Sequence, residues 1–175
     1  MDEAPGVFKK VEVSELLSST GKQIPIKNLR QVNDWLYRGA QPSMESFARL
    51  SELNIKTVIN LRWQPGPVAR ERRRVEELGM QFEHVSLNYW TLPQQKSVDE
   101  FLELLDDEQL RPIFVHCLHG KDRTGIMIAM YRILRCGWSL HQAYEEMVYC
   151  GFHRFATRHF KWALWHLAGR NSKRV

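Results

Sequence analysis

The chain has 175 residues, of which 43% are hydrophobic and 26% charged, a balance typical of one globular domain and not of a disordered or fibrous chain. The formal net charge of +5 favours anionic ligands, but this excess is too small to indicate nucleic acid, which we do not predict as a partner. Charged residues interrupt the apolar stretches, so no transmembrane segment is predicted.

The three cysteines, Cys117, Cys136 and Cys150, are too few, and odd in number, for a disulfide framework. They indicate a reducing compartment, and a cytoplasmic location is therefore predicted. Residues 1–10 lack the apolar core of a signal peptide, although a leader removed earlier would leave no trace in this sequence.

The chain is predicted to have an N-terminal extension over residues 1–27, which packs on the core, and a single domain over residues 28–175. In chain order, the first elements are short strands over 29–32 and 35–37, joined by an Asn33-Asp34 turn. Gly39 and Pro42 then break the pattern. A helix follows over 46–53, capped by Ser43 and ended by Asn54. A buried strand over 56–61, a loop over 63–67, a charged helix over 68–78 and an alternating strand over 80–87 follow.

The second half begins with a loop over 88–96, a helix capped by Ser97 and a buried strand over 113–117. A loop then leads into an apolar helix that Gly137 ends; Ser139 caps the next helix, and a last helix follows Gly151. Strands that alternate with helices predict an α/β fold with a mostly parallel central sheet flanked by helices. Ligands bind at the carboxyl edge of such a sheet.

The loop after the strand over 113–117 has the features of an anion site. Cys117 ends the strand, and a short loop that contains Gly120 leads directly into a helix. The N–H groups of such a loop converge near the helix N-terminus and suit phosphate, and the same field stabilises a cysteine thiolate. Arg123 can bind two phosphoryl oxygens with its planar fork of donors, and Thr124 can hydrogen-bond the sulfur.

Other interpretations of this loop fit less well. A buried strand cysteine is usually an inert core residue, but the loop and Arg123 reverse that expectation. A nucleotide-binding loop would need glycine at Val115 and a hydroxyl residue at Asp122, and the chain has neither. A metal site at His116, Cys117 and His119 would lack a second ligand pair with metal-like spacing, so no metal and no cofactor are predicted.

The Cys-x5-Arg spacing, with His116 before the cysteine and Thr124 after the arginine, resembles the active-site signature of the cysteine-dependent protein tyrosine phosphatase superfamily. Residues 32–42 and 58–62 look like the compact atypical dual-specificity branch found in plants, fungi and bacteria. The resemblance to this branch covers about residues 28–149. It implies the small phosphatase α/β fold.

The resemblance also implies roles for the residues of the loop. Cys117 would attack phosphorus to form a phosphocysteine, while Arg123 and the amides of residues 118–123 would hold the equatorial oxygens. His116 would orient the loop from behind, and Thr124 would assist hydrolysis of the intermediate.

The general acid of the superfamily is missing from its usual place. An Asp normally comes from the loop before the last helix ahead of the catalytic strand, but no carboxylate lies between Glu83 and Asp99. Asp122 is the predicted substitute, because myotubularin-like and Sac-like phosphatases carry an Asp at the matching position. The alternatives are a carboxylate that only caps the helix, an acid from elsewhere, or none. Inositol pyrophosphates, associated with the plant and fungal branch, would need little protonation because the departing phosphate is already a stable anion.

Several residues are predicted to bind substrate around the reactive cysteine; they are Leu118, His119, Gly120 and Lys121 of the loop, and Arg62 at the end of a strand on the same sheet edge. Lys121 would strengthen the positive field for a ligand with several phosphates, with a solvated lysine as the alternative. A structural ion pair is the alternative for Arg62. The helix over 68–78 mixes arginines with Glu71, Glu76 and Glu77, and a solvated face is predicted for these charges.

The sequence therefore predicts a cysteine-dependent phosphatase that acts on inositol polyphosphates, inositol pyrophosphates or phosphoinositides. A protein tyrosine or dual-specificity phosphatase with a phosphoprotein substrate is the alternative within the same chemistry. A catalytically dead phosphate-binding module is the alternative from another class. Sulfur-transfer enzymes also place a cysteine in an anion loop, but their loops do not usually end in Arg-Thr-Gly before a helix.

Overall fold

The computed structural model describes residues 25–153 and 158–171, so most of the predicted extension over residues 1–27 lies outside the described part. The strands are β1 (Arg30–Asn33), β2 (Leu36–Ala40), β3 (Thr57–Asn60), β4 (Gln81–His84) and β5 (Ile113–Cys117). The helices are α1 (Ser46–Glu52), α2 (Pro65–Glu77), α3 (Gln95–Asp106), α4 (Asp122–Cys136), α5 (Leu140–Tyr149) and α6 (Arg158–Asn171). A short 3-10 turn at Glu108–Leu110 precedes β5.

The strands form one sheet in the order β1-β2-β5-β3-β4, which confirms the predicted α/β fold. Only the β1–β2 pair within this sheet is antiparallel; the other pairs are parallel. Every residue of β3 and of β5 is buried, as expected for parallel strands covered on both faces. The central position of β5 puts the end of that strand in the middle of the carboxyl edge.

Alternate residues of β5 face two different helical layers. Ile113, Val115 and Cys117 belong to an apolar cluster that includes residues of α3, α4, α5 and α6. Phe114 belongs to a second cluster, with residues of α1 and α2. The His116 ring stacks on the Phe114 ring, with centroids 5.6 Å apart, and therefore lies on the α1–α2 side of the sheet.

Most predicted elements are confirmed, but several local predictions are wrong. The N-cap position of α1 is Glu45 and not Ser43, and the strand predicted over 80–87 ends at His84. Gly39 lies inside β2, where it was predicted to break the strand. The helix predicted over 68–78 begins at Pro65, because proline suits the first turn of a helix. Ser97 lies inside α3 and does not cap it. The predicted cap at Ser139 is confirmed as a complete capping box with Gln142.

None of the helices in the described ranges is long and apolar enough to cross a membrane.

Candidate active site

Cys117 ends β5, the central strand, and therefore lies in the middle of the carboxyl edge of the sheet. The loop from Leu118 to Lys121 connects Cys117 to α4. Cys117 is buried, whereas Leu118 and His119 are exposed at the mouth of the site. Gly120 is buried and has a φ of +66°, a conformation that favours glycine. A Cβ atom on Gly120 would overlap the backbone of Gly39, which explains the glycine in the loop, whereas a Cβ atom on Gly39 would lie 3.0 Å from the Phe114 ring.

The carbonyl groups of the loop are bonded from outside it. The Arg38 guanidinium donates to the Gly120 carbonyl at 2.9 Å, and the Asn28 side chain donates to the His119 carbonyl at 2.9 Å. The backbone N–H of Gln41 donates to the Leu118 carbonyl at 3.3 Å. Carbonyls that point outward leave the N–H groups of the same peptides to face inward, which is the arrangement an anion needs.

Arg38 contributes a buried positive charge beneath this loop. Its side chain is only 1% exposed, and its Nε and Nη1 atoms have no hydrogen-bond partner within the described ranges. An unpaired buried cation is costly unless an anion lies near it. The positive charge of Arg38 therefore favours binding of an anion such as phosphate in the loop above it.

Arg123 and Thr124, in the first turn of α4, have unpaired polar atoms next to the loop. Arg123 is 4% exposed, and its Nε and Nη1 atoms lack a partner among the residues described, as does the hydroxyl of Thr124. The Arg123 guanidinium carbon lies 5.7 Å from the centre of the Tyr89 ring, so the aromatic ring forms one wall of the site. Burial and the charge of Asp122 raise the pKa of Tyr89, so its phenol stays neutral at physiological pH.

His116 is held by a buried carboxylate that the sequence analysis placed incorrectly. Glu71 was predicted on a solvated face of its helix, but it is 1% exposed and its Oε1 lies 2.6 Å from His116 Nε2. Glu71 follows Val68 by three residues and precedes Val75 by four, so all three lie on the buried face of α2. This spacing is the signal that could have identified it.

The other oxygen of Glu71 accepts two further hydrogen bonds. Asn60 Nδ2 donates to Oε2 at 2.8 Å, and Gln41 Nε2 donates to the same atom. Burial alone would raise the pKa of Glu71, but His116 and these donors outweigh burial and lower it. His116 Nδ1 also lies 3.2 Å from the Cys117 carbonyl, so this network reaches the start of the loop after β5.

Asp122 is buried at the start of α4 and bonds to the connection that follows α5. The backbone N–H of His153 donates to Asp122 Oδ1 at 3.0 Å, and His153 Nδ1 lies 2.9 Å from Oδ2. The His153 side chain is 43% exposed, so this pair links the buried carboxylate to solvent at the mouth. The aliphatic part of Lys121 lies over Gly151 in the same connection.

Arg62 joins the site from the end of β3. Burial and the nearby Arg123 guanidinium lower the pKa of Arg62, whereas Glu71 and Cys117 oppose that shift. Arg62 Nη1 donates to the Gln41 side chain, whose own backbone N–H donates to the Leu118 carbonyl of the loop. The predicted alternative, a structural ion pair, has no support in the described ranges, where no carboxylate lies within 4.0 Å of its guanidinium.

Side chains suited to a metal are not clustered in this part of the structure. Across residues 25–153 and 158–171, no group of three or more His, Cys, Asp or Glu side chains has an arrangement that could hold a metal ion.

A family of known proteins matches most of the chain. The model of the family described as "DSP-PTPase phosphatase fused to NAD+ Kinase" matches residues 8–162. The dual specificity protein phosphatase TpbA of Pseudomonas aeruginosa is 30% identical over 128 residues, which are 73% of this chain and 56% of TpbA. Inositol diphosphatase DSP2 of Oryza sativa subsp. japonica is 26% identical over 150 residues, which are 83% of this chain and 71% of DSP2. The chain thus spans little more than half the length of TpbA.

A solved structure shares the fold. The core catalytic domain of the PP-IP phosphatase SIW14 from S. cerevisiae superposes with a TM-score of 0.70 at 25% identity. The superposition covers 85% of this chain and 95% of that domain, which was crystallised with citrate.

Proposed function

This chain belongs to the DSP-PTPase family of phosphatases, and on that basis we propose that it is a cysteine-dependent phosphatase that works through a phosphocysteine intermediate. One observation carries the proposal. The thiol of Cys117 lies at the start of a loop whose carbonyls are bonded outward, and the buried Arg123 at the far end of that loop has unpaired donors. A tetrahedral phosphate between them would satisfy both the amides and the guanidinium.

The proposed reaction has two displacement steps. The Cys117 thiolate attacks phosphorus, so an S–P bond forms while the bond between phosphorus and the leaving oxygen breaks. Arg123 and the loop amides bind the equatorial oxygens throughout. Water then attacks the phosphocysteine, the S–P bond breaks and the thiolate returns, stabilised by the Thr124 hydroxyl. His116 positions the loop for both steps through its contact with the Cys117 carbonyl.

We propose Asp122 as the proton donor to the leaving oxygen, because it is the carboxylate that adjoins Arg123 at the mouth of the site. Its two oxygens contact the backbone N–H and the ring Nδ1 of His153, so an exposed imidazole lies between this carboxylate and solvent. A proton shared by Asp122 and His153 is a source for the leaving group, and the exposed His153 ring exchanges it with solvent.

The proposed substrates are inositol polyphosphates, inositol pyrophosphates or phosphoinositides. The names of the relatives support this class, because DSP2 is an inositol diphosphatase and SIW14 is a PP-IP phosphatase. Lys121 and Arg62 add positive charge to that of Arg123. The loop residues Leu118, His119 and Gly120 would complete the binding surface.

A phosphotyrosine substrate is the second candidate. One crystal structure of TpbA holds pTyr, and Tyr89 forms an aromatic wall beside Arg123 in this chain. A catalytically dead phosphate-binding module is the remaining alternative. We further propose a cytoplasmic location, which the three free cysteines support.

The test is phosphate release by the wild type, Cys117→Ser and Asp122→Asn, without added metal. The substrates are inositol hexakisphosphate, an inositol pyrophosphate, a phosphoinositide and a phosphotyrosine peptide. Cys117→Ser should abolish turnover. Asp122→Asn should slow phosphate release from the ester substrates by about a hundredfold and leave release from the inositol pyrophosphate unchanged. If the wild type releases phosphate from none of the four, the phosphatase proposal is wrong and the dead module takes its place.

A further inference from the structure

We propose that Arg62 forms a second anion site beside the reactive loop, which binds another phosphate of the ligand whose first phosphate lies at Cys117. We propose also that Gln41 is the positioning residue that fixes this site relative to the loop. This inference rests on the proposed function and deepens it, because it identifies the substrate class as one with at least two phosphates.

The backbone of Arg62 is fixed on both sides. Its N–H donates to Asn60 Oδ1 at 2.7 Å, and its carbonyl oxygen lies 2.6 Å from His84 Nε2. Asn60 ends β3, which pairs directly with β5, the strand that ends at Cys117. Arg62 therefore starts from the same rigid edge as the reactive cysteine.

The guanidinium of Arg62 is held by neutral amides. Its Nε donates to Gln64 Oε1 at 3.3 Å, and its Nη1 donates to Gln41 Oε1 at 3.1 Å. The amides orient the charge without neutralising it, and Nη2 makes no hydrogen bond to any residue in the described ranges. A fixed guanidinium with one donor open is a site for an anionic oxygen.

The two arginines repel each other in the absence of a ligand. Burial and then the positive charge of Arg123 lower the pKa of Arg62, and no carboxylate within the described ranges forms an ion pair with both arginines. A ligand with one phosphate between the loop and Arg123 and another near Arg62 would remove this repulsion.

Gln41 connects this second position to the loop. Its amide nitrogen donates to Glu71, the carboxylate that also holds His116, while its oxygen accepts from Arg62. Hydrogen bonds therefore link His116, Glu71, Gln41 and Arg62 without a break. The buried Glu71 carboxylate thus fixes the position of the Arg62 guanidinium relative to the loop after Cys117. A ligand that matches this spacing would gain from both, and this is a basis for specificity.

The test is calorimetric titration of the Cys117→Ser chain with inorganic phosphate, inositol hexakisphosphate and a dioctanoyl phosphatidylinositol bisphosphate. Adding Arg62→Gln should weaken the ligands with several phosphates by about tenfold more than it weakens inorganic phosphate. A selective loss of affinity for inositol hexakisphosphate alone, or for the lipid alone, supports the second site and shows which of the two ligands supplies the phosphate that binds there. Gln41→Met should lower the affinity for the ligands with several phosphates by about threefold more than the affinity for inorganic phosphate. In a chain that already carries Arg62→Gln, Gln41→Met should have no such effect.

The matched control is Arg73→Gln, which removes one positive charge from the exposed face of α2. It should leave the affinities for all three ligands within about twofold. Equal losses for all ligands in Arg62→Gln, or no loss in any, would overturn the second anion site. The titrations measure binding and do not need turnover. An inactive wild type would therefore refute the phosphatase proposal, whereas a selective loss of affinity in Arg62→Gln would still support the second anion site.

Discussion

Replacement of Glu71 by Gln removes one buried negative charge and keeps the size of the side chain. The carboxylate accepts from three donors: His116 at 2.6 Å, Asn60 at 2.8 Å and Gln41. A Gln amide has one acceptor oxygen and one donor nitrogen, so it cannot accept from both sides. Either one of the three donors then faces another donor at this buried position, or His116 must change tautomer to accept from the Gln nitrogen.

The expected cost follows from these contacts. A buried hydrogen bond to a charged group contributes about 1.5–3 kcal/mol, and breaking a buried ion pair costs about 3–5 kcal/mol. Because Gln keeps part of the network, we expect Glu71→Gln to lower the free energy of unfolding by about 3 kcal/mol. For a chain of this size the melting temperature should fall by about 6–12 °C.

The effect should also depend on pH. The pKa of Glu71 is lower in the folded chain than its ordinary value of 4.5, so the stability from its ionised form is fully present above that pH. This stability is lost as the pH falls through the folded pKa. Urea unfolding at pH 7 should therefore show the full difference between wild type and Glu71→Gln, and unfolding at about pH 3.5 should show a smaller one.

Glu76→Gln is the matched control, since Glu76 lies on the same helix in an exposed pair with Arg72. It should change the free energy of unfolding by less than about 0.5 kcal/mol. The reasoning is refuted if Glu71→Gln is as stable as this control at pH 7, or if its deficit does not shrink in acid.

Three further substitutions test other parts of the site and fold. Gly120→Ala should lower the free energy of unfolding, measured in urea, by more than about 3 kcal/mol, because the φ of Gly120 is +66° and an added Cβ would overlap the backbone of β2. Gly66→Ala is the control, since a Cβ there meets open space, and it should cost less than about 0.5 kcal/mol. Ser139→Ala removes the capping box of α5 and should cost about 1 kcal/mol in the same assay; no change would mean that the cap is unimportant. Tyr89→Leu removes the ring beside Arg123 and should lower kcat/KM for p-nitrophenyl phosphate by about threefold, and an unchanged value would rule out a role for that wall.

The central part of the fold was predictable because its signals are local. The apolar residues of β5, the loop that starts at Cys117 and the apolar helix after it are contiguous in the chain, and each has a distinct pattern. The end of α4 at Gly137 also follows from one residue, whose φ is +69°. These elements needed no knowledge of the tertiary structure.

The support beneath the loop was not predictable in the same way. Arg38 bonds to Gly120, which is 82 positions away, and Glu71 bonds to His116, 45 positions away. The sequence shows Arg38 as an ordinary charged residue. The spacing of Glu71 from Val68 and Val75 places Glu71 on the buried face of α2, but its contact with His116 depends on how α2 packs on the sheet. The α2 boundary was wrong for a related reason, since the prolines near residue 65 indicate a turn as readily as a helix start.

The central position of β5 has a consequence for how the chain opens. Its amides are bonded to neighbours on both sides, so hydrogen exchange over residues 113–117 should require opening of the whole sheet. The loop beyond Cys117 is held instead by individual hydrogen bonds to its carbonyls, and the one from Asn28 lies near the surface. Partial opening at those contacts would disorder the binding surface while the strand stays intact. In rising urea, activity should therefore disappear before the circular dichroism of the sheet changes.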